Sequence, residues 1–187
     1  MHNPVPSVPA SRSQVSRLLP ASRRADLENV LTAELLTVVA GARRRTLRDG
    51  DRQIDTAHLL HSLLETDPEA GAAFDGGHQV ARVLGYLVQR SIGYGLRWQR
   101  SVEDTGGSLP VLRVGEPAAS GWSPAAAAAL GHAFERAARR GDRRVRGLDL
   151  LAVLAAEPDS RAGEVLRRAG VDRTVLTARI AELSQQV

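Results

Sequence analysis

The sequence predicts an all-α fold made of two tandem four-helix units. Alanine, leucine and arginine, which are good helix formers, dominate the 187 residues, and aromatic residues make up only 3% of them. Apolar residues recur at helical spacing in both halves of the chain. In addition, residues 50–54 (GDRQI) match residues 141–145 (GDRRV) at an offset of 91. Together these observations predict a duplicated helical domain.

The repeat extends well beyond this short match. The same offset places Leu59 on Leu150, and an offset of 92, after one inserted residue, places Gly71 on Gly163. Because apolar residues fall on apolar residues along most of each half, we expect two packed copies of one unit. The predicted architecture is a pseudo-twofold bundle of eight helices.

The first helix of each unit is long, and its ends carry clear signals. The spacing predicts helices over residues 32–48 and 124–140. Trp122 precedes the second of these, with Ser123 as its N-cap and Pro124 at its first position. Gly50 and Gly141 are expected to end the two helices, because glycine readily adopts the left-handed conformation required there.

Three shorter helices follow in each unit. The second helices are predicted over residues 56–64 and 147–155, each with a leucine face. Pro68 and Pro158 introduce the third helices, over residues 69–74 and 159–169. The fourth helices are predicted over residues 79–92 and 172–185, the latter with Asp172 as its cap.

The remaining segments are rich in proline, glycine and serine. Residues 1–21 have too few apolar side chains to build a core, so we expect a disordered leader there. Residues 22–92 would form the first repeat and residues 122–187 the second. Residues 93–121 would form a linker carrying a β-hairpin around the turn at 104–107. The chain shows no signal peptide or membrane span, and we expect it in the cytoplasm.

Two missing residue types exclude several classes of enzyme. The absence of cysteine excludes disulfides, thiolate zinc sites and a cysteine nucleophile. All 25 basic residues are arginine, so the chain has no Walker A lysine and no lysine for a Schiff base. His58 and His61 stand three residues apart, but no further ligands stand at motif spacing. We therefore expect no catalytic residues, no metal and no cofactor. The acidic pair Glu103 and Asp104 is expected to be solvated in the hairpin turn.

The order of these motifs resembles the Clp repeat domain, and most closely the N-terminal domain of ClpC-type unfoldases. Each unit of that domain has a long alanine-rich helix, a glycine, a β-branched residue, a second helix with two leucines, and a glycine in the third helix. The residues that carry the resemblance are Trp122-Ser123-Pro124 and residues 54–60, 145–151, 163–166 and 170–172. It covers about residues 31–183.

The resemblance implies a non-catalytic module that docks adaptors or substrate segments for an ATP-driven unfoldase. No ATPase module is present in these 187 residues, so we expect a free-standing adaptor or decoy for a Clp unfoldase–protease system. Some family members bind phosphorylated arginine through the acid of a G-T-E-H motif. Ala57 and Leu148 occupy the matching positions here, so this route is not expected. His58 retains the histidine of the motif, whereas Asp149 replaces it in the second repeat.

The resemblance also points to a binding groove. Trp122 matches an aromatic residue that, in relatives, lies beside a groove for peptides and cyclic-peptide antibiotics, and Leu31 takes its place in the first repeat. Trp122 also fits a hydrophobic staple, which would pack it on Ala127. The predicted binding residues are Trp122, Ser123, Leu31, Thr32 and Ala127. The expected partners are a Clp unfoldase, an adaptor, a substrate peptide or a peptide antibiotic, bound by a monomer or weak dimer.

An alternative function rests on repeated arginines. Their spacing of three and then four residues is typical of one helical face, and the net charge of the chain is +4. Two such stripes could bind nucleic acid or another acidic surface. They could also be solvated helix faces in a chain whose only strong cation is arginine, and nucleic-acid motifs are missing. The stripes comprise Arg45, Arg48 and Arg52 in the first repeat, and Arg136, Arg139 and Arg143 in the second.

Overall fold

Capping residues flank most of the helices in the described part of the chain. The computed structural model describes residues 29–91, 103 and 121–186. Eight complete helices lie within these residues: α1 (Ala33–Asp49), α2 (Thr56–Thr66), α3 (Pro68–Ala72), α4 (Gly76–Ser91), α5 (Pro124–Arg140), α6 (Gly147–Ala156), α7 (Arg161–Arg168) and α8 (Arg173–Gln185). The all-α prediction is therefore confirmed for the described part of the chain.

Most caps of the two long helices agree with the predictions. The Ser123 hydroxyl accepts the Ala126 N–H at 3.1 Å, as predicted. Thr32, predicted as the first residue of α1, is instead its N-cap and accepts the Leu35 N–H. Gly50 has a φ of 73° and Gly141 a φ of 83°, so both end their helices in the left-handed conformation that favours glycine. These ends were predictable because the cap and the helix it stops are neighbours in sequence.

The predicted ends of the shorter helices were displaced by a few residues. The Asp67 carboxylate accepts the N–H groups of both Glu69 and Ala70, so α3 begins at Pro68 and ends at Ala72. Ser160 caps α7, which starts at Arg161 and not at residue 159. Helix α4 starts at Gly76, three residues before the predicted position. The differences at α3 and α7 reflect caps that compete with the apolar pattern.

Helices α2 and α6 form the centre of the molecule. Every residue from Thr56 to Leu64 is buried, and so is every residue from Gly147 to Ala155. The two helices pack against each other, α3 packs on α6, and α7 packs on α2. The first part of the chain therefore shares its core with the second. Burying each leucine of these faces contributes about 2 kcal/mol, before the entropic cost of ordering it.

Two short backbone pairings join the halves. Ile54 pairs with Trp122 and Leu31 pairs with Val145, and they are isolated bridges rather than strands. The Ile54 N–H donates to Gly121 at 2.7 Å, and the Val145 N–H donates to Val30 at 2.9 Å. We call these two pairings, with the residues that flank them, the seam.

Some expectations concern segments that the structure does not describe. The disordered leader at residues 1–21 lies outside the described residues, and so does the hairpin of residues 93–121 apart from Glu103 and Gly121. In the part that is described, no helix has both the length and the apolar character needed to cross a membrane.

Candidate functional site

The seam holds Trp122 in a fixed position. The Ser123 N–H donates to the Ile54 carbonyl at 2.8 Å, and the Ile54 N–H bonds the residue on the other side of the tryptophan. The Trp122 side chain is half-buried and packs against the core. A tryptophan whose backbone is pinned on both sides and whose ring is partly accessible is suited to anchoring a partner.

The other predicted binding residues differ in how much of their side chains they expose. Thr32 and Ala127 are half-buried, as Trp122 is. Leu31 is only 5% exposed and belongs to the core, and Ser123 is 1% exposed. The expectation that Leu31 offers a second surface like that of Trp122 is therefore corrected, because the small remaining exposure leaves no side-chain area for a ligand.

A buried carboxylate lies next to Trp122. Glu103 is 6% exposed, and its two oxygens accept four hydrogen bonds. One oxygen accepts the Thr56 N–H at 2.8 Å and the Ser123 hydroxyl at 3.2 Å. The other accepts the Arg161 N–H at 2.7 Å and also the Thr56 hydroxyl. The expectation that Glu103 is solvated in a turn was wrong, because donors from three helices surround it.

A second charged cluster is built around His58, on the same end of α2. Its Nε2 lies 3.1 Å from Asp51 and 3.9 Å from Asp49, and its Nδ1 lies 2.8 Å from Asp55. Asp55 also caps α2 by accepting the His58 N–H at 2.8 Å. Arg90 from α4 and Arg161 from α7 both bond the Asp55 carboxylate. The cluster therefore ties α2, α4 and α7 together.

The charges of this cluster shift two pKa values in opposite directions. Burial lowers the pKa of His58, but hydrogen bonds to Asp51 and Asp55 outweigh it, so the pKa lies above its ordinary value of 6.5. Burial raises the pKa of Asp55, but the bonds from His58 and the charge of Arg90 hold it well below its usual range. The geometry therefore places the His58 ring between the side chains of Asp51 and Asp55.

Asp51, Asp55 and His58 are also close enough together to share a cation. However, the Arg90 guanidinium already bonds Asp55 and lies 3.4 Å from Asp51, so a positive charge is in place there. His61, one turn further along α2, faces Arg45 and Glu65. Burial and then the charge of Arg45 lower the pKa of His61 to about 4. The described residues therefore favour an internal ion network at this position.

The second half of the molecule carries a matching cluster with the opposite charges. Asp149 is fully buried, and its carboxylate accepts two bonds from Arg140, one of them at 2.9 Å, and the Arg146 N–H at 3.1 Å. At the offset of 91, Asp149 matches His58, Arg140 matches Asp49 and Arg146 matches Asp55. The first half therefore surrounds a histidine with acids, and the second surrounds an acid with arginines.

Two positions singled out by the resemblance are closed to solvent. Ala57 and Leu148, which stand where the family motif has an acid, are both fully buried. Neither side chain has a polar atom, so neither can bind a guanidinium or a phosphate directly.

The predicted arginine stripes are not continuous helical faces. Helix α1 ends at Asp49 and α5 at Arg140, so Arg52 and Arg143 lie in the loops beyond them. Arg45 bonds Glu65 and is only 12% exposed, and Arg136 lies 3.6 Å from Asp149. Arg139 bonds a carbonyl of its own helix, and Arg48 lies 3.4 Å from Asp49. Most of these cations therefore serve local contacts.

Comparison with solved structures identifies the fold. The N-terminal domain of the caseinolytic protease associated chaperone ClpD from Arabidopsis thaliana superposes with a TM-score of 0.59 and 16% sequence identity, covering 85% of this chain and 96% of that one. The chain has the Clp N-terminal domain fold. No protein-family model and no curated protein sequence matches it. The Clp N-terminal fold predicted from the sequence is thus confirmed at the level of structure.

Sequence reasoning missed two groups within this Clp N-terminal fold. Glu103 is a single acid in a polar linker, and no local pattern marks it as buried. Asp149 was noted only as a replacement for histidine. Comparing the charges of the two repeats would have revealed its arginine partners. At the offset of 91, Arg140 and Arg146 align with acidic residues of the first repeat, as Asp149 aligns with His58.

Proposed function

We propose that the chain is a non-catalytic protein-interaction module that binds peptide segments at the seam beside Trp122. The observation that carries this proposal is the half-buried Trp122, which the seam holds rigidly in a domain with the Clp N-terminal fold. Tryptophan contributes disproportionately to binding energy when it sits at an interface, and a rigid backbone reduces the entropic cost of binding.

A duplication of one four-helix unit would explain the architecture. The offset of 91 maps one seam pairing onto the other, because Ile54 matches Val145 and Leu31 matches Trp122. Helices α1 and α5 have 17 residues each, and both end at a left-handed glycine. The packing of α3 on α6 likewise corresponds to the packing of α7 on α2. These correspondences support a pseudo-twofold pair of repeats.

The partners in this proposal follow from the fold of the ClpD domain, whose protein is a protease-associated chaperone. The seam would bind a Clp unfoldase, an adaptor, a substrate segment or a peptide antibiotic. The chain would act either as an adaptor, which brings substrates to the unfoldase, or as a decoy, which withholds them. The site of action would be the cytoplasm.

The test uses a defined substrate and a matched control. Fluorescently labelled casein, an unfolded model substrate, is titrated with the whole chain and with Trp122→Ala. Leu47→Ala is the control, because Leu47 is 75% exposed on α1 and takes no part in the seam pairings. We expect Trp122→Ala to weaken binding on the order of tenfold, as for an aromatic anchor, and Leu47→Ala to leave it unchanged. Equal effects of the two variants would contradict the proposed site.

A degradation assay separates the two roles. A purified Clp unfoldase–protease degrades the labelled casein with and without the chain. An adaptor raises the initial rate and a decoy lowers it, and Trp122→Ala should abolish either effect. A rate that does not respond to the chain at any concentration would refute both roles.

A further inference from the structure

We infer that the seam contains a carboxylate-binding pocket, which the chain fills with its own Glu103. The pocket consists of the four donors that surround this side chain, from Thr56, Ser123 and Arg161. These donors lie on three different helices and converge on one point. Glu103 is the bound anion that shows what the pocket accepts.

The two hydroxyl groups donate to the Glu103 carboxylate. Thr56 Oγ1 accepts the Ala162 N–H at 3.0 Å, and Ser123 Oγ accepts the Ala126 N–H at 3.1 Å. Each hydroxyl hydrogen is therefore directed at Glu103. A neutral amide in the same place would set its NH₂ group against the backbone N–H of Thr56 or Arg161, which cannot accept a hydrogen bond, so the pocket discriminates against it.

The backbone adds two further donors at helix N-termini. The Thr56 N–H opens α2 and the Arg161 N–H opens α7, and Ser123 is the N-cap of α5. The positive ends of three helix dipoles thus point at one carboxylate. The Arg161 side chain is engaged with Asp55, so the pocket binds charge mainly through dipoles and hydrogen bonds.

The position of the pocket identifies the external ligand. It is formed in part by Ser123, the residue after Trp122, and by Thr56, two residues after the partner of Trp122 in the seam. A peptide anchored on Trp122 would therefore carry its neighbouring side chain to the pocket. The ligand is an acidic side chain of such a peptide, which replaces the carboxylate of Glu103; this identification rests on the proposed function.

The first experiment tests the pocket without any peptide. Glu103→Ala removes the internal carboxylate and leaves the four donors. Thermal unfolding is followed by circular dichroism in sodium acetate and in sodium chloride of equal ionic strength. Glu157→Ala is the control, because Glu157 is an exposed acid at the end of α6. We expect acetate to raise the melting temperature of Glu103→Ala saturably, and to act on Glu157→Ala no more than chloride does.

Two results would overturn the pocket. One is an equal response of Glu103→Ala to acetate and chloride. The other is an acetate response that survives when Thr56→Val is added, because that change removes one donor. If Glu103→Ala is unfolded in chloride, recovery of its helical signal in acetate supports the inference, and failure to recover it at any acetate concentration overturns it.

The second experiment separates an acidic peptide from a free carboxylate. Two short peptides are compared. Both carry one apolar residue to contact Trp122, and one carries a glutamate where the other carries a glutamine. Each is titrated against Glu103→Ala and against the unchanged chain. The glutamate peptide should bind Glu103→Ala on the order of tenfold more tightly, because the internal competitor is gone. Rescue by acetate with no preference for the glutamate peptide would support the pocket but refute the peptide as its ligand. If acetate raises the melting temperature of Glu103→Ala no more than chloride does, the pocket itself is refuted.

Discussion

Replacing Arg140 by leucine should destabilise the protein strongly, because it leaves the buried Asp149 without its main partner. Asp149 is fully buried and accepts two hydrogen bonds from Arg140. Breaking a buried ion pair from one side costs about 3–5 kcal/mol. Arg136 remains 3.6 Å from the carboxylate and compensates for part of the loss, so we expect a cost of about 3 kcal/mol.

Urea and thermal unfolding at pH 7 measure this loss. A cost of about 3 kcal/mol corresponds to a fall of about 6–12 °C in melting temperature for a chain of this size. The control is Arg144→Leu, since Arg144 is exposed in the loop that follows α5, and this variant should stay within about 0.5 kcal/mol of the unchanged chain.

A double variant tests the physical reason. Asp149→Asn removes the charge but keeps a side-chain oxygen that can accept the Arg146 N–H, as Asp149 does now. If an uncompensated charge is the cause, adding Asp149→Asn to Arg140→Leu should recover much of the lost stability. Equal losses in Arg140→Leu and Arg144→Leu would refute the reasoning, and so would a double variant that is less stable than Arg140→Leu alone.

Three further predictions follow from other contacts. Because the pKa of His58 is raised, its contribution to stability is fully present below pH 6.5 and is lost as pH rises through the folded value. The variant His58→Gln should therefore cost more stability in urea unfolding at pH 5.5 than at pH 9, and His78→Gln is the exposed control. Gly163→Ala would place a Cβ 2.2 Å from a backbone carbonyl oxygen and should lower the melting temperature, whereas Gly131→Ala, with open space around it in α5, should raise stability by about 0.5–1 kcal/mol. Thr32→Ala removes the N-cap of α1 and should cost about 1 kcal/mol in urea unfolding, whereas Thr32→Ser should cost almost nothing.

The two charged clusters show how one scaffold can carry different electrostatics. Both His58 and Asp149 occupy the third position of a central helix. Each forms a hydrogen bond with the residue that precedes its helix, Asp55 for His58 and Arg146 for Asp149. The acids around His58 raise the pKa of this side chain, so the charge of the first cluster depends on pH. The second cluster pairs an acid with guanidinium groups, which stay charged at any ordinary pH. A response to pH is therefore expected from the first cluster.

The sequence by itself determined the helices, their order and the fold. Ser123, Gly50 and Asp172 act on the helix next to them, and such caps can be read from a few neighbouring residues. The leucine faces of α2 and α6 were evident from their helical spacing, but the structure buries the other faces of these two helices as well. The displaced ends of α3, α4 and α7 show the limit of that reading, since short helices have few apolar positions to define them.

Only the tertiary structure decided which polar groups meet. Glu103 bonds residues that are 47, 20 and 58 positions away in the chain, and no local pattern encodes a meeting of that kind. Asp55 likewise bonds Arg161 across 106 positions. Helix formation is governed by neighbours along the chain, whereas a buried charge is stabilised by whichever donors the packed helices bring to it.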